Sequence, residues 1–186
     1  MIRALSARFA GRGIHLSLPT QDRRLLERVI LPHFATSSEF SRILFVGCAW
    51  YTGAYRGLFR HKEYWTLDPD PRKSRWGAER HITDSLVRIG SYFRDRTLDA
   101  IVCNGVFGWG LDEKPEVEAA FRGCHACLRA GGVFVLGWND IPARRPFALN
   151  ESESLRLFVP YRFPPLDADC HRTGTHNRHT YSFYSR

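Results

Sequence analysis

The strongest constraint on the fold is an alternation, repeated along the chain, of short apolar runs with stretches of helical spacing. Several of these runs are continuously apolar, which is typical of strands covered on both faces. They predict strands at 42–46, 63–68, 80–86, 98–105 and 132–140, the third short and running into a turn. Strands of this kind, separated by helices, predict a doubly wound α/β domain built on a parallel sheet.

Three stretches outside these strands have helical character. Residues 21–34 place apolar side chains on one face and predict a helix that ends around Pro32. Residues from about 52 to 60 predict the helix after the first strand. Residues 113–130 predict a longer helix, closed after Ala130 by a glycine in the left-handed conformation. Its buried face is predicted to carry Val117, Ala120, Phe121, Cys124 and Leu128.

The C-terminal part of the chain has a different pattern. Residues 152–172 contain several prolines and predict mainly loop with a short helix. Residues 177–186 alternate and are rich in tyrosine, phenylalanine and serine, which predicts a final strand.

The net charge of +8 and the pI near 9.6 raise the question of nucleic-acid binding. No run reaches five like charges, and no RNP-type or zinc-finger pattern is present. The charge therefore favours arginine-rich surfaces in solvent, with an anionic substrate or RNA as the alternative. No apolar run approaches the roughly 20 residues of a membrane span. The start of the chain lacks a continuous apolar segment, so a signal peptide is not expected and the cytoplasm is the expected compartment.

Five cysteines, without a secretion signal, predict reduced thiols. Cys124 and Cys127 have CxxC spacing, but they fall near the end of a predicted helix, where the dipole does not stabilise a thiolate. The tail offers a second metal hypothesis, since it holds Cys170, His171, His176 and His179. No second set of paired ligands lies nearby in sequence, so no metal is expected.

Polar and glycine residues follow the predicted strands where a parallel sheet binds its ligands. The first strand is followed by Gly47-Cys48-Ala49, the second by Asp68, the third by Asp84 and the fourth by Asn104. Asp68 lies about 20 positions beyond Gly47, the separation that a strand-helix-strand unit requires of an acidic residue that binds a ribose.

The loop after the first strand argues against a nicotinamide dinucleotide. Ala49 stands where the second glycine of G-x-G-x-x-G would be, and the bulky Trp50 and Tyr51 would crowd a pyrophosphate. A cofactor with a ribose and no phosphate does not need so open a loop.

At this point the sequence resembles the S-adenosylmethionine-dependent methyltransferases of the Rossmann-like type, over about residues 40–140. The similar segments, in chain order, are ILFVGCAWYTG, YWTLDPDP, HITDSL, LDAIVCNGVFGW and CLRAGGVFVLGW, followed by the last strand RHTYSFYSR. The resemblance implies a three-layer, doubly wound, mostly parallel sheet with an antiparallel last strand. It also implies S-adenosylmethionine as the cofactor.

The resemblance implies a role for each strand-end residue. The segment Gly47-Cys48-Ala49 would approach the methionine moiety and the ribose through backbone atoms, with Tyr51 or Tyr55 at the methionine end. Asp68 would hold the ribose hydroxyls. Asp84, with the backbone of Ser85, would contact the adenine, and Asn104 would lie near the methyl group. A single domain is expected over 1–186, with a helical extension (1–40), a cofactor-binding core (41–140) and a C-terminal loop and strand (141–186).

Two positions depart from the family pattern: Phe45 replaces an acidic residue, and Ala49 replaces a glycine. They support a second hypothesis, a methyltransferase-like binding protein without catalysis. A third hypothesis, an RNA-binding or RNA-modifying protein, rests on charge alone.

The methyl acceptor is predicted to be a small molecule. The N/D-P-P-Y/F pattern of amino methylation is absent, because Asn104 is followed by Gly-Val-Phe. The candidate bases are His81 and Asp140, with His15 and His176 further away, and Trp109 and Trp138 are candidate walls of the acceptor pocket. No inserted cap domain is evident, so an open site or one completed by a second copy of the chain is expected.

Overall fold

The strands of the protein form one mixed sheet in a computed structural model that describes residues 20–94 and 96–186. Over these residues the strands are β1 (Arg42–Val46), β2 (Glu63–Leu67), β3 (Arg80–Ile82), β4 (Leu98–Asn104), β5 (Leu128–Asn139), β6 (Val159–Pro160), β7 (Cys170–Arg172) and β8 (His179–Ser185). Their order is β3-β2-β1-β4-β5-β8-β6, and β7 also pairs with β8.

Strands β1 to β5 are parallel, and β8 is antiparallel to β5. The predicted mostly parallel sheet with an antiparallel last strand is therefore confirmed. The short strands β6 and β7 were not predicted. Both pair along β8, on the side away from β5. Neither is long enough to produce a readable alternation, and β6 contains a proline, so their strand character comes from pairing rather than from local sequence.

Helix α1 consists of three consecutive segments: an α-helical segment (Gln21–Leu25), a π-helical turn (Leu26–Ile30) and a second α-helical segment (Leu31–Thr36). The other α-helices are α2 (Tyr55–Leu58) and α3 (Lys114–Cys127). Short 3₁₀ helices cover Trp50–Thr52, Pro71–Trp76, Leu86–Ser91, Pro142–Arg144, Leu149–Glu151 and Leu155–Leu157.

Helix α1 continues to Thr36, past the end predicted at Pro32. Pro32 lies in the first turn of the last segment, directly after the π-helical turn. A proline is tolerated there because the wider turn changes the hydrogen-bond register and removes the need for its missing N–H.

Helix α3 ends at Cys127, before the glycine stop predicted after Ala130. Leu128 is already extended and begins β5. The glycines that follow pair with the C-terminus, because the Gly131 N–H donates to the Arg186 carbonyl and the Arg186 N–H donates to the Gly132 carbonyl. This long-range pairing overrides the local helix-stop signal.

Two other predicted elements are shorter in the structure. The helix expected from about 52 to 60 is regular only over Tyr55–Leu58, since two glycines weaken it. The third strand ends at Ile82, because the Ser85 hydroxyl accepts from the Val87 N–H and starts a 3₁₀ helix.

The sheet separates two apolar layers. Leu44 and Val46 of β1 pack with α3 and the 3₁₀ helix at 86–91, whereas Ile43 and Phe45 pack with α1 and α2. The side chains predicted for the buried face of the helix, Val117, Ala120, Phe121, Cys124 and Leu128, are all fully buried, although Leu128 belongs to β5. This arrangement is the three-layer, doubly wound fold that the sequence predicted.

The strand order places the ligand crevice. The chain passes from β1 to β2 and β3 on one side, and then crosses to β4 on the other. In a doubly wound sheet, the carboxyl ends of the two strands at this switch point, here β1 and β4, border the crevice. Over residues 20–94 and 96–186, no helix has the length and apolar character of a membrane span.

Candidate active site

Gly47 brings the ends of β1 and β4 into contact. Its φ of +95° is one that side chains rarely adopt, and a Cβ there would lie 2.6 Å from the Asn104 carbonyl oxygen. The Gly47 N–H donates to the Leu67 carbonyl at 3.0 Å, which continues the pairing with β2. The glycine is therefore required both for the turn and for the close approach of the two strand ends.

Asp68 follows β2 and is only 2% exposed. Its carboxylate accepts from the Cys48 N–H at 2.8 Å and from the Asp70 N–H at 3.0 Å, so it holds the loop after β1. The Lys73 ammonium lies 3.1 Å from the same oxygen as Cys48. Lys73 is the one side-chain donor of the three, and its side chain is 36% exposed. A ligand hydroxyl that reaches this oxygen would replace the lysine.

Cys48 contributes its backbone to this loop. Burial, reinforced by the nearby Asp68, raises the pKa of its thiol to about 12. The side chain is therefore a neutral thiol at physiological pH and is not a nucleophile.

Arg23 lies on α1 beside this loop, and sequence reasoning did not single it out. Its guanidinium is buried, 4.1 Å from the centre of the Tyr51 ring and 3.4 Å from the Tyr55 hydroxyl. Within the described residues no carboxylate forms an ion pair with it. A buried cation is normally paired, so this arginine indicates a place for an anionic group.

The two tyrosines hold Arg23 in different ways. Tyr51 offers its ring face, which attracts a cation, and Tyr55 accepts through its hydroxyl while donating to the Glu27 carboxylate at 2.9 Å. Phe45 packs edge-on against the Tyr55 ring at 5.3 Å. The residue that replaces the family's acidic position therefore supports the tyrosine that contacts Arg23.

Asp84 and Ser85 follow β3 at the same edge of the sheet. The Asp84 carboxylate accepts from the Tyr92 hydroxyl at 2.6 Å and from the Ser85 N–H at 2.8 Å, and Arg88 lies 3.2 Å away. These hydrogen bonds, that from Tyr92 first, hold the pKa of Asp84 below its ordinary value. The carboxylate is ionised and can accept from a ligand amino group.

A buried polar network lies at the ends of β4 and β5. The two nitrogens of His179 lie 3.1 Å from the Asn104 amide and 3.2 Å from the Asn139 amide. Burial lowers the pKa of His179 to about 4, so the imidazole is neutral. Sequence reasoning counted His179 only among metal ligands. The sequence did contain a feature that could have pointed to His179. It lies at the start of the predicted antiparallel strand, and an antiparallel strand begins at the edge of the sheet where its parallel neighbours end.

The glycine-rich segment 105–110 is a loop. Its Phe107 is fully buried, whereas Trp109 is 50% exposed at the mouth of the crevice. The Trp109 indole N–H donates to the Asn139 oxygen at 3.3 Å, and the Arg144 guanidinium stacks 3.6 Å above its ring. Trp109 is therefore held at the rim rather than in the core.

The other predicted catalytic candidates lie apart from this network. His81 is paired with Thr66 at 2.9 Å on β3, and β2 and β1 separate it from β4. Asp140 follows β5, and its two oxygens are taken by Arg145 and Arg172. His176 is exposed, Trp138 donates to the Ser182 hydroxyl and packs on the core, and His15 lies outside the described residues.

The candidate metal ligands are dispersed. Cys124 and Cys127 are buried in α3, and Cys170 is exposed on β7. Within residues 20–94 and 96–186, no three potential ligands come together.

Comparisons with known proteins agree with this architecture. A model of the methyltransferase-domain family matches residues 44–136, half of the chain. The N-methyltransferase NodS from Bradyrhizobium japonicum WM9 has a similar structure, with a TM-score of 0.64 at 17% identity over 91% of this chain and 99% of that chain. Its complex with S-adenosyl-l-homocysteine gives 0.62 at 18% identity over 97% of this chain and 98% of that chain.

A further similar structure is the 1,6-didemethyltoxoflavin-N1-methyltransferase from Burkholderia thailandensis, with 1,6-didemethyltoxoflavin and S-adenosylhomocysteine bound. It gives a TM-score of 0.58 at 16% identity over 100% of this chain and 86% of that chain. No curated protein sequence matches the chain. The family match, with Gly47, Asp68 and Asn104 at the expected strand ends, identifies the chain as a member of the class I, S-adenosylmethionine-dependent methyltransferases.

Proposed function

We propose that this methyltransferase transfers the methyl group of S-adenosylmethionine to a small molecule at the ends of β4 and β5. The observation that carries the proposal is the buried guanidinium of Arg23 beside the loop after β1, which has no carboxylate partner among the residues that the structure describes. S-adenosylmethionine has a carboxylate at one end and a nucleoside at the other. The crevice offers a cation at one end and carboxylates at the other.

The residues at the crevice fit the parts of this cofactor. Arg23, with the ring of Tyr51 beneath it, would hold the methionine carboxylate, and the backbone of the segment 47–49 would border the methionine moiety. Asp68 would accept from the ribose hydroxyls once Lys73 moves aside. Asp84 and the backbone of Ser85 would contact the adenine. Bound here, the cofactor supplies an electrophilic methyl group on a positively charged sulfur.

Asn104 and Trp109 would border the methyl group and the acceptor. Asn104 lies at the carboxyl end of β4, with its backbone carbonyl against Gly47 and its side chain over Gly137 of β5. The Trp109 side chain is 50% exposed at the crevice, and the Arg144 guanidinium stacks on its ring. Such a rim suits a planar or anionic molecule of modest size. Both similar proteins named above are N-methyltransferases, which makes a nitrogen acceptor the first class to test.

Several ion pairs of the described residues limit the case for RNA. Arg42 and Arg129 lie at the opposite, amino-terminal edge of the sheet, paired with Glu63 and Asp99. At the carboxyl edge, Arg145 is paired with a carboxylate as well. These arginines lie at both edges and are neutralised by carboxylates, whereas RNA binding uses a continuous basic face.

Calorimetry with S-adenosylmethionine and S-adenosylhomocysteine tests binding of the cofactor. A second assay tests the acceptor: the protein is incubated with S-adenosylmethionine and panels of small amines, phenols and carboxylates, and the S-adenosylhomocysteine formed is detected by mass spectrometry. A parallel reaction with total RNA tests the alternative. Binding together with turnover of a small molecule supports the proposal. Absence of binding to both nucleosides, or methyl transfer to RNA alone, overturns it.

A further inference from the structure

A chain of hydrogen bonds crosses the ends of β4 and β5 and the start of β8. It runs from the Trp109 indole to Asn139, from Asn139 to His179, and from His179 to Asn104. Apart from Trp109, its members are at most 5% exposed. Buried polar groups in a network of this kind hold one another in fixed orientations.

The orientation of the Asn139 amide is determined by its partners. Its oxygen accepts from the Trp109 indole N–H at 3.3 Å, and its nitrogen donates to the Asn177 carbonyl at 3.4 Å. The reversed amide would set a donor against the indole and an oxygen against the carbonyl. Asn139 therefore presents an oxygen to His179.

The proton on His179 follows from this orientation. Burial keeps the imidazole neutral, although Asp22 favours its charged form while Arg23 opposes it. A neutral imidazole has a single N–H. The oxygen of Asn139 requires that proton on Nδ1, at 3.2 Å. The other ring nitrogen, Nε2, is then an acceptor.

The orientation of Asn104 is the next consequence. Since Nε2 accepts, the Asn104 branch 3.1 Å from it must be the amide NH₂. This branch lies over Gly137 of β5, where an added Cβ would collide with it. The amide oxygen is then the other branch, and it is not one of the fully buried, unpartnered side-chain atoms of the described residues, so solvent reaches it at the carboxyl end of β4. Within the described residues this side chain has no hydrogen bond besides that to His179.

We infer that Trp109, Asn139 and His179 act as positioning residues that aim the Asn104 oxygen at the methyl acceptor, and that the acceptor must carry an N–H or O–H on the atom that is methylated. This inference rests on the proposed function. Once a bound acceptor covers this oxygen and shields it from solvent, leaving it without a donor is costly, and a site built around a hydrogen bond rejects analogues that lack it.

The reaction balances with such an acceptor. The lone pair of the acceptor nitrogen or oxygen forms a bond to the methyl carbon, the carbon–sulfur bond breaks, and its electron pair goes to the sulfur, which becomes a neutral thioether. The hydrogen held by Asn104 orients the lone pair and then leaves as a proton to solvent through the open mouth beside Trp109. Asn104 itself gains and loses no proton.

The first test needs no acceptor. Long-range proton–nitrogen NMR of protein labelled with ¹⁵N-histidine, saturated with S-adenosylhomocysteine, should show His179 as the Nδ1–H tautomer at pH 7, with the signal assigned by its loss in His179→Gln. Asn139→Leu should move the proton to Nε2, whereas Asn104→Leu should leave it on Nδ1. An Nε2–H tautomer in the wild-type protein, or the same response to both substitutions, overturns the inference.

The second test uses matched probes. Primary and secondary amines and phenols are compared with their fully methylated counterparts, and S-adenosylhomocysteine formation is measured. Turnover confined to probes with N–H or O–H, by at least 100-fold, supports the inference. Efficient methylation of a tertiary amine or a thioether overturns it. If no probe reacts, the NMR result decides.

The substitutions also separate the two proposals. His179→Phe and Asn139→Leu should lower kcat/KM for a reactive probe at least tenfold while the Kd for S-adenosylhomocysteine changes less than threefold. A wild-type protein that does not bind S-adenosylhomocysteine contradicts the proposed function. A protein that binds it with an unchanged Kd and an unchanged kcat/KM in these variants contradicts only the inference.

Discussion

The Arg23 guanidinium lies 4.1 Å from the centre of the Tyr51 ring, so that helix α1 covers the loop that follows β1. The cation is buried, and its nearest polar side-chain partner is the neutral hydroxyl of Tyr55. This contact joins two parts of the sequence whose separate patterns do not indicate that they meet.

Arg23→Met should weaken binding of S-adenosylhomocysteine about 10- to 150-fold, the loss of one charge-assisted interaction of about 1.5–3 kcal/mol. Binding of 5′-methylthioadenosine, which has the nucleoside but no carboxylate, should be unchanged. Calorimetry with the two ligands measures the difference, and Arg24→Met, an exposed neighbour, is the matched control. Equal losses for both ligands would show that Arg23 does not contact the carboxylate.

The same variant also separates binding from structure. Because Met keeps most of the length of the side chain and, among the described residues, loses the contacts of the guanidinium with Tyr51 and Tyr55, thermal stability of the ligand-free protein should change little. A fall of several kcal/mol would assign Arg23 a structural role.

Asp68→Ala should weaken binding of S-adenosylmethionine by roughly 2–3 kcal/mol, about 30- to 150-fold, because two ribose hydroxyls lose a charged acceptor. Asp70→Ala is the control, since its carboxylate is bound to Arg72 at the surface. Lys73→Met should leave affinity unchanged or raise it, because the ammonium occupies the Asp68 oxygen that a hydroxyl would use. An unchanged Kd in Asp68→Ala would contradict the ribose assignment.

Gly137→Ala should lower acceptor turnover strongly while the protein stays folded. The new Cβ would lie 2.0 Å from the Asn104 amide branch and 3.0 Å from the Tyr181 ring, so the amide must move. Gly57→Ala, where nothing lies within 4 Å of the added carbon, is the control. The measurement is kcat/KM for a reactive acceptor at saturating cofactor, and a wild-type value in Gly137→Ala would show that the position of Asn104 does not matter.

The stability of the wild-type protein should decrease below about pH 6.5 partly through His179. Burial lowers the pKa of His179 to about 4, so the unfolded state binds more protons between the two values and stability is lost as the pH falls. Relative to pH 7.5, this loss amounts to about 2 kcal/mol at pH 5. In His179→Gln this loss should be absent. The free energies of unfolding of the wild type and the variant, measured by denaturation at each pH, should therefore converge as the pH falls. Curves that remain parallel would indicate that His179 is not buried in the neutral form.

The sheet could be predicted because its information is local. Strands β1, β4 and β5 contain continuous apolar runs, β2 is rich in aromatic and β-branched residues, and β8 alternates. The errors fall where tertiary pairing decides: α3 ends at Cys127 because the following residues join β5 and the C-terminus, and β6 and β7 are strands only along β8. Local propensity does not contain these pairings.

The cofactor side of the site was predicted in the same way, and for the same reason. Gly47, Asp68, Asp84 and Asn104 each end a strand, and in a parallel sheet all strand ends of one kind meet at one edge. That these four residues hold the cofactor remains a proposal.

The sequence by itself determined the fold class, the family and the edge of the sheet at which ligands bind, since these depend on periodicity and on residues at strand ends. Only the tertiary structure decided which side chains face one another there. Arg23 reaches Tyr51 because α1 packs against the loop that follows β1, and His179 reaches Asn104 because β8 runs antiparallel and begins where β4 ends. Contacts between residues 28 and 75 positions apart depend on how the layers pack, and no local pattern specifies that packing.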